Sequence, residues 1–126
     1  MNRFDGGAAD SRELYSGLIR IHILHHACRG AIFGLEMIEE LARHGYSLSP
    51  GTLYPMLHSL EKKGYLQSTG ARSGRRFRRM YKATAMGRRA LIRACGRVKE
   101  LLGELLEERG VVSKNRQTRK AANRSR

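Results

Sequence analysis

The chain has only two prolines, Pro50 and Pro55, and both fall in one stretch, SPGTLYPMLHSL, spanning Ser49 to Leu60. Proline has no amide hydrogen and its ring crowds the preceding turn, so a helix holding both must begin at or near the first. At the first helical position the missing donor would be unpaired anyway, which makes Pro50 a helix start and Ser49 its N-cap. Pro55 then costs one early hydrogen bond and can bend the axis without ending the helix. Leu53, Leu57 and Leu60 fall on one face, and Gly64 closes a segment of ordinary length.

The remaining elements arrange themselves around this helix. Ser11 is expected to cap a first helix whose apolar face is Leu14, Leu18 and Ile21, followed by a break at CRGAIFG. Leu35, Ile38 and Leu41, with Met37 and Ala42 beside them, predict a second helix that ends near His44–Gly45. After Gly64, YLQST and RRFRRMYKA read as two strands joined around GARSG, with Gly70 and Gly74 supplying the turn. Thr84 caps a long last helix reaching about Glu108. Within it Leu91, Cys95, Val98, Leu102 and Leu105 repeat at steps of four and three, a heptad-like seam widened by Leu101 and Leu106. A stripe covering its own domain would explain part of this seam; its place after the compact unit favours a contact between two copies.

The expected fold is therefore mainly α with a small antiparallel hairpin: a winged helix-turn-helix followed by a long C-terminal dimerisation helix. Residues 1–10 are expected to be flexible, 11–83 to form the winged unit, 84–110 the dimerisation helix, and 111–126 a disordered basic tail. The tail, VVSKNRQTRKAANRSR, has six basic residues and no acid, and a merely solvated terminus is the competing reading.

Charge narrows the partner. Twenty-five Lys and Arg oppose eleven Asp and Glu, a formal balance of +14, and from Lys62 to Lys99 thirteen basic residues occur without one carboxylate. A one-sign stretch of this kind builds a coherent positive field that favours an anionic polymer, with double-stranded DNA preferred to a membrane surface. No apolar run approaches the roughly 20 residues that span a bilayer, and MNRFDGGAAD lacks the hydrophobic stretch of a secretory signal. Cys28 and Cys95 form no CxxC pair and read as free thiols, in keeping with a cytoplasmic protein. No glycine-rich phosphate loop, nucleophile elbow or HExxH pattern occurs, so no enzyme activity is expected.

With its leucines inward, the third helix leaves Thr52, Tyr54, His58, Ser59 and Lys62 for a groove of DNA or its rims; Lys63 suits a backbone contact. Ser49 and Thr52 lie where free amides of a helix start attract phosphate. Tyr54 either touches the nucleic acid or packs over the domain. The hairpin carries Arg72, Arg75, Arg76, Arg78, Arg79 and Lys82, with Arg78 and Lys82 on one strand face and Arg79 on the other. The bland reading of that cluster is a solvated strand edge protected by charge. Absence of Arg, Asn and Gln from the third helix leaves no obvious bidentate base contact. In the first helix HILHHAC places His22 and His26 four apart, near His25 and Cys28, but a closed metal site wants further ligands. Packing and solvent contact explain this cluster more cheaply, and neither metal nor cofactor is expected.

The stretches GLEMIEELARHGYSLSPGTLYPMLHSLEKKGYLQ and SGRRFRRMYKATAMGRRAL resemble the PadR family of bacterial transcriptional regulators, over nearly the whole ordered chain. The resemblance implies a dimeric repressor whose C-terminal helix pairs two winged domains, in the subgroup with a short single C-terminal helix. Some members respond to small hydrophobic ligands, so the implied function is repression relieved by a small ligand. The implied DNA-facing residues are Ser49, Thr52, Tyr54 and His58, with Lys62 nearby, and the implied wing is Arg75, Arg76, Arg78 and Arg79. Tyr81, Thr84 and Gly87 match the entry into the last helix. Ala83 and Ala85 depart from the leucine and glutamate common there, which leaves the junction angle open, and the short helix argues against a large inducer pocket. Two other functions fit the charge: a non-specific architectural nucleic-acid-binding protein, and an interaction module docking an acidic partner.

Overall fold

A computed structural model describes residues 8–108. Its elements run α1 (Ala8–Arg29), β1 (Ile32–Phe33), α2 (Gly34–Arg43), α3 (Pro50–Lys62), β2 (Leu66–Ser73), β3 (Arg76–Ala83) and α4 (Ala85–Glu108). The segment expected as a basic tail, 111–126, and residues 1–7 lie outside the described residues. A first compact unit extends to Leu91, and a second begins at Ile92 within α4.

The core of the first unit gathers Ile19, Ile23, Leu24 and Ala27 of α1, Met37 and Leu41 of α2, and Leu53, Met56, Leu57 and Leu60 of α3. Ile32, Leu48, Leu66 and Tyr81 complete it. The leucine face expected for α3 is thus the buried one. That expected for α1 is not: Leu14 is 75% and Leu18 41% exposed, while Ile19 and Ile23 are fully buried. Both faces of α1 are apolar, and among the described residues its C-terminal half packs on the core, whereas its N-terminal half meets the rest of the unit through Tyr15, whose ring lies against that of Tyr46. Nor does Ser11 cap α1, which begins three residues earlier at Ala8. On α2, Met37 and Leu41 point inward and Leu35 is exposed.

Two helices end in the same way. The Gly45 amide donates to the Ala42 carbonyl and the Tyr46 amide to that of Leu41; after α3, Gly64 donates to Glu61 and Tyr65 to Leu60. This is the Schellman arrangement, which needs a left-handed residue after the cap, and Gly45 (φ 93°) and Gly64 (φ 88°) supply it. Pro50 opens α3 as its composition requires, with the Thr52 and Leu53 amides donating to the Ser49 carbonyl. The Ser49 hydroxyl makes no capping bond and lies 3.4 Å from the Thr52 hydroxyl instead. Helix α3 continues through Pro55, which is exposed, so the Gly51 carbonyl left without its amide can meet solvent.

The sheet has three strands, not the two of the expected hairpin, in the order β1-β3-β2 and antiparallel throughout. Ile32 pairs with Tyr81 and Phe33 with Met80, so the break after α1 contains a strand. The hairpin turn is also tighter than expected. Ser73 pairs with Arg76, leaving Gly74 (φ 63°) and Arg75 as a two-residue turn with glycine first. Gly70 lies inside β2 opposite Arg79, where the Phe77 ring occupies the space a side chain would need. Thr84 caps α4 as expected: its hydroxyl accepts from the Gly87 amide (3.0 Å) and donates to the Gly64 carbonyl (2.5 Å).

Candidate nucleic-acid interface

Burial of Leu53, Met56, Leu57 and Leu60 decides which residues α3 turns outward. Opposite them, at steps of three and four, stand Gly51, Pro55, His58 and Lys62, all exposed. Half-buried Thr52 and Ser59 flank this ridge on one side, Tyr54 and Glu61 on the other. Tyr54 packs inward: its ring covers the start of α2, and a side chain at Gly34 would collide with its hydroxyl. Its ring centre lies 6.4 Å from that of His58, so the two form a continuous edge of the helix. Glu61, the single acid of α3, accepts from both the amide (3.2 Å) and the hydroxyl (2.6 Å) of Ser68. It joins the helix to β2 and leaves the outward ridge with Lys62 as its only formal charge.

The wing residues divide into free and engaged. Arg72, Arg75 and Arg76 are exposed, as is Phe77 at 62%. Arg79 is exposed and donates to the Ser68 hydroxyl at 3.0 Å. Arg78 is half-buried and engaged at the surface instead, its guanidinium 3.8 Å from the Phe33 ring centre and 3.0 Å from a carboxylate oxygen of exposed Glu36. Between the start of α2 and β3 lies a groove of about 340 Å³, lined by Phe33, Gly34, Leu35, Phe77 and the guanidinium-bearing Arg76, Arg78 and Arg79, with Tyr54 reaching it from α3. Aromatic faces and cations side by side suit a polyanion whose backbone passes over the groove.

Sequence reasoning missed several of these residues. Phe33 hides in a two-residue strand, and Gly34 matters only because Tyr54 crosses it. Pro55 is seen as an outward residue only once the buried face is known. The residues of the expected seam lie exposed on α4: Val98, Leu102 and Leu105 have between 36% and 51% of their surface open. Cys95 is exposed, whereas Leu91, at the end of the first unit, packs on the core.

A second cluster forms on the first unit. His22 and His26 of α1 meet His44, the residue that caps α2, and their ligand-capable nitrogens lie within 4.8 Å of one another. His22 and His44 stack with ring centres 4.7 Å apart. Glu40 joins them, its Oε2 3.5 Å from His26 Nε2 and 3.2 Å from His44 Nε2. Burial, together with neighbouring imidazoles, lowers the pKa of His22; burial is also the main cause for His26, partly offset by Glu40. A hydrogen bond from Arg43 holds the Glu40 carboxyl below its usual range. His25 lies beside His26 but outside the cluster.

Comparison with known proteins covers both the winged unit and the start of α4. Residues 23–93 match the transcriptional regulator PadR-like family. Over 95 residues the chain is 46% identical to the transcriptional regulator Rv3488 of Mycobacterium tuberculosis, covering 75% of this chain and 89% of that one. Among solved structures, a PadR family transcriptional regulator from Eggerthella lenta superposes with a TM-score of 0.69 at 30% identity, over 82% of this chain and 94% of that one. Bacillus subtilis PadR, solved in complex with operator DNA, matches with a TM-score of 0.57 at 20% identity, over 62% of this chain and 46% of that one.

Proposed function

The chain belongs to the PadR-like family of transcriptional regulators, and from that premise we propose that it is a homodimeric, non-enzymatic repressor that binds a near-palindromic promoter site. The observation that carries this reading is the outward ridge of α3 together with a wing of exposed arginines, joined by a basic groove that Tyr54 of α3 shares with Arg76, Arg78 and Arg79. Each α3 would enter a major groove through Thr52, His58 and Lys62, with Tyr54 at its edge and the amide-rich start at Ser49 against a phosphate. Arg75, Arg76 and Arg79 would hold the flanking backbone, while Arg78, engaged by Phe33 and Glu36, would position the wing. Bacillus subtilis PadR, which has this fold, was solved on operator DNA.

Homodimerisation would proceed through the α4 seam of Leu91, Cys95, Val98, Leu102 and Leu105, most of it exposed in the single chain. Repression relieved by a small ligand is the mode that the family resemblance implies. No helix among the described residues is long and apolar enough to cross a membrane.

Binding to the protein's own promoter region and to scrambled DNA, measured across salt concentrations, tests the reading. A clear preference for the promoter at every salt supports it. Equal affinity with only a steep salt dependence would leave the second reading, a general DNA binder, which the balance of +14 favours.

A further inference from the structure

The histidine cluster has more order than packing requires. It consists of two pairs, each spaced four residues apart on its own helix: His22 and His26 on α1, Glu40 and His44 on α2 and its cap. Such spacing puts both members of a pair on one helix face, and here the two faces oppose each other. We propose that His22, His26 and His44 form a binding site for one divalent transition-metal ion of the zinc class, with Glu40 supporting two of the rings.

Three imidazoles, with the fourth position left to water, match the ligand set that such ions take in open tetrahedral sites. Ligand bonds of about 2.0–2.1 Å place tetrahedral nitrogens roughly 3.4 Å apart. The present nitrogens, within 4.8 Å, need close by at most about 1.4 Å, which a turn of the exposed His44 ring, now stacked on His22 and 3.2 Å from Glu40, would supply. Glu40 is already divided between two tasks. Its Oε1 accepts from Arg43 at 2.8 Å, and its Oε2 faces both His26 and His44. A carboxylate with one oxygen held by a neighbour and the other turned to two of the imidazoles is the outer support that metal ligands require. A shared carboxylate oxygen accounts for two of the rings without an ion. It does not account for His22, whose nitrogen is turned to the same centre while its ring stacks on His44. A shallow groove of about 180 Å³, lined by His26, Glu36, Glu40 and Arg43, opens beside the cluster and gives a hydrated ion a path in.

An ion at this site ties α1 to the last turn of α2, directly before the Gly45 turn that leads into α3. The site stands apart from the DNA reading, because its test measures metal alone. Chelator-stripped full-length protein is titrated with Zn(II) by calorimetry and with Co(II) by visible absorption, and its thermal midpoint is followed in both. One ion per chain, the d–d bands of tetrahedral Co(II) and a raised midpoint are expected. His22→Ala, His26→Ala and His44→Ala each lower affinity by about tenfold or more, with His25→Ala unchanged. His44→Gln, which keeps a polar residue at the cap, serves alongside His44→Ala as a check on folding. Absence of stoichiometric binding, full affinity in both His44 variants, or loss of binding only with Cys28→Ser or Cys95→Ser would overturn the proposal.

Discussion

Two glycines of the same helix are predicted to respond to alanine with opposite signs. A Cβ at Gly87 would lie 2.2 Å from the backbone oxygen of Tyr65 and 3.0 Å from its carbonyl carbon. Ordinary carbon–oxygen approaches are about 3.3 Å, so backbone must move from backbone by about 1 Å. The carbonyl concerned accepts the Thr84 amide at 3.0 Å, next to the cap in which the Thr84 hydroxyl receives the Gly87 amide. Overpacking costs about 1–3 kcal/mol. The strained Thr84 bond adds about 1 kcal/mol, and better helix propensity returns about 1 kcal/mol. Gly87→Ala should therefore destabilise the chain by about 1–3 kcal/mol, lowering the thermal midpoint by about 4–12 °C.

At Gly96 a Cβ meets nothing within 4 Å, and the residue is exposed and off the Leu91–Leu105 seam. Gly96→Ala should keep the propensity gain alone, about 1 kcal/mol or roughly 4 °C upward. Far-UV circular dichroism melts of the full chain at one fixed concentration read both, since self-association makes the midpoint concentration-dependent. Gly87→Ala melting at or above the wild type, or both variants shifting the same way, would refute the packing argument.

Other outcomes follow from single interactions. Gly34→Ala forces the Tyr54 ring off α2, so discrimination between promoter and scrambled DNA should fall while low-salt binding to both persists; unchanged discrimination would remove Tyr54 from the interface. Replacing Arg75 and Arg76 with alanine should reduce the slope of log affinity against log salt by about 0.9 for each phosphate no longer neutralised, whereas Arg78→Ala should mainly lower thermal stability. Leu102→Glu with Leu105→Glu should give a monomer in sedimentation that keeps its helical signal; a persisting dimer would place the subunit contact elsewhere.

Tyr81 is fully buried, its hydroxyl has no hydrogen-bond partner among the described residues, and burial raises its pKa above 10. Because the unfolded tyrosine ionises first, its contribution to stability is full below about pH 10 and is lost as pH rises through the folded pKa. Tyr81→Phe should gain about 1 kcal/mol at neutral pH and flatten that alkaline loss, as read by urea unfolding from pH 8 to 11.

Features legible in the sequence are those whose causes lie within a few residues of chain. Pro50 starts α3, Gly45 and Gly64 end helices, Thr84 caps α4, and Leu53, Leu57 and Leu60 share a face because helical geometry puts them there. These local rules, with the run of cations from Lys62 to Lys99, were enough for a winged unit with a basic hairpin. Features whose cause lies far along the chain were not legible. Two residues of β1 show no alternation and become a strand only through Tyr81 and Met80. Gly70 looks like a turn residue until Phe77 is seen to cover it.

The same holds at the candidate sites. Arg78 reads like its neighbours until Phe33 and Glu36 take it up, and HILHHAC reads as a helix surface until the end of α2 brings Glu40 and His44 against it. Both outward and inward faces of α1 are apolar, so its sequence determined that it would be a helix and that some of its surface would be buried. Which surface was decided by the elements that reach it: Ile19 and Ile23 are covered and Leu14 is not. Hydrogen bonds within a turn of helix are settled by the adjacent residues; burial, charge pairing and ligand convergence depend on what the rest of the fold places opposite them.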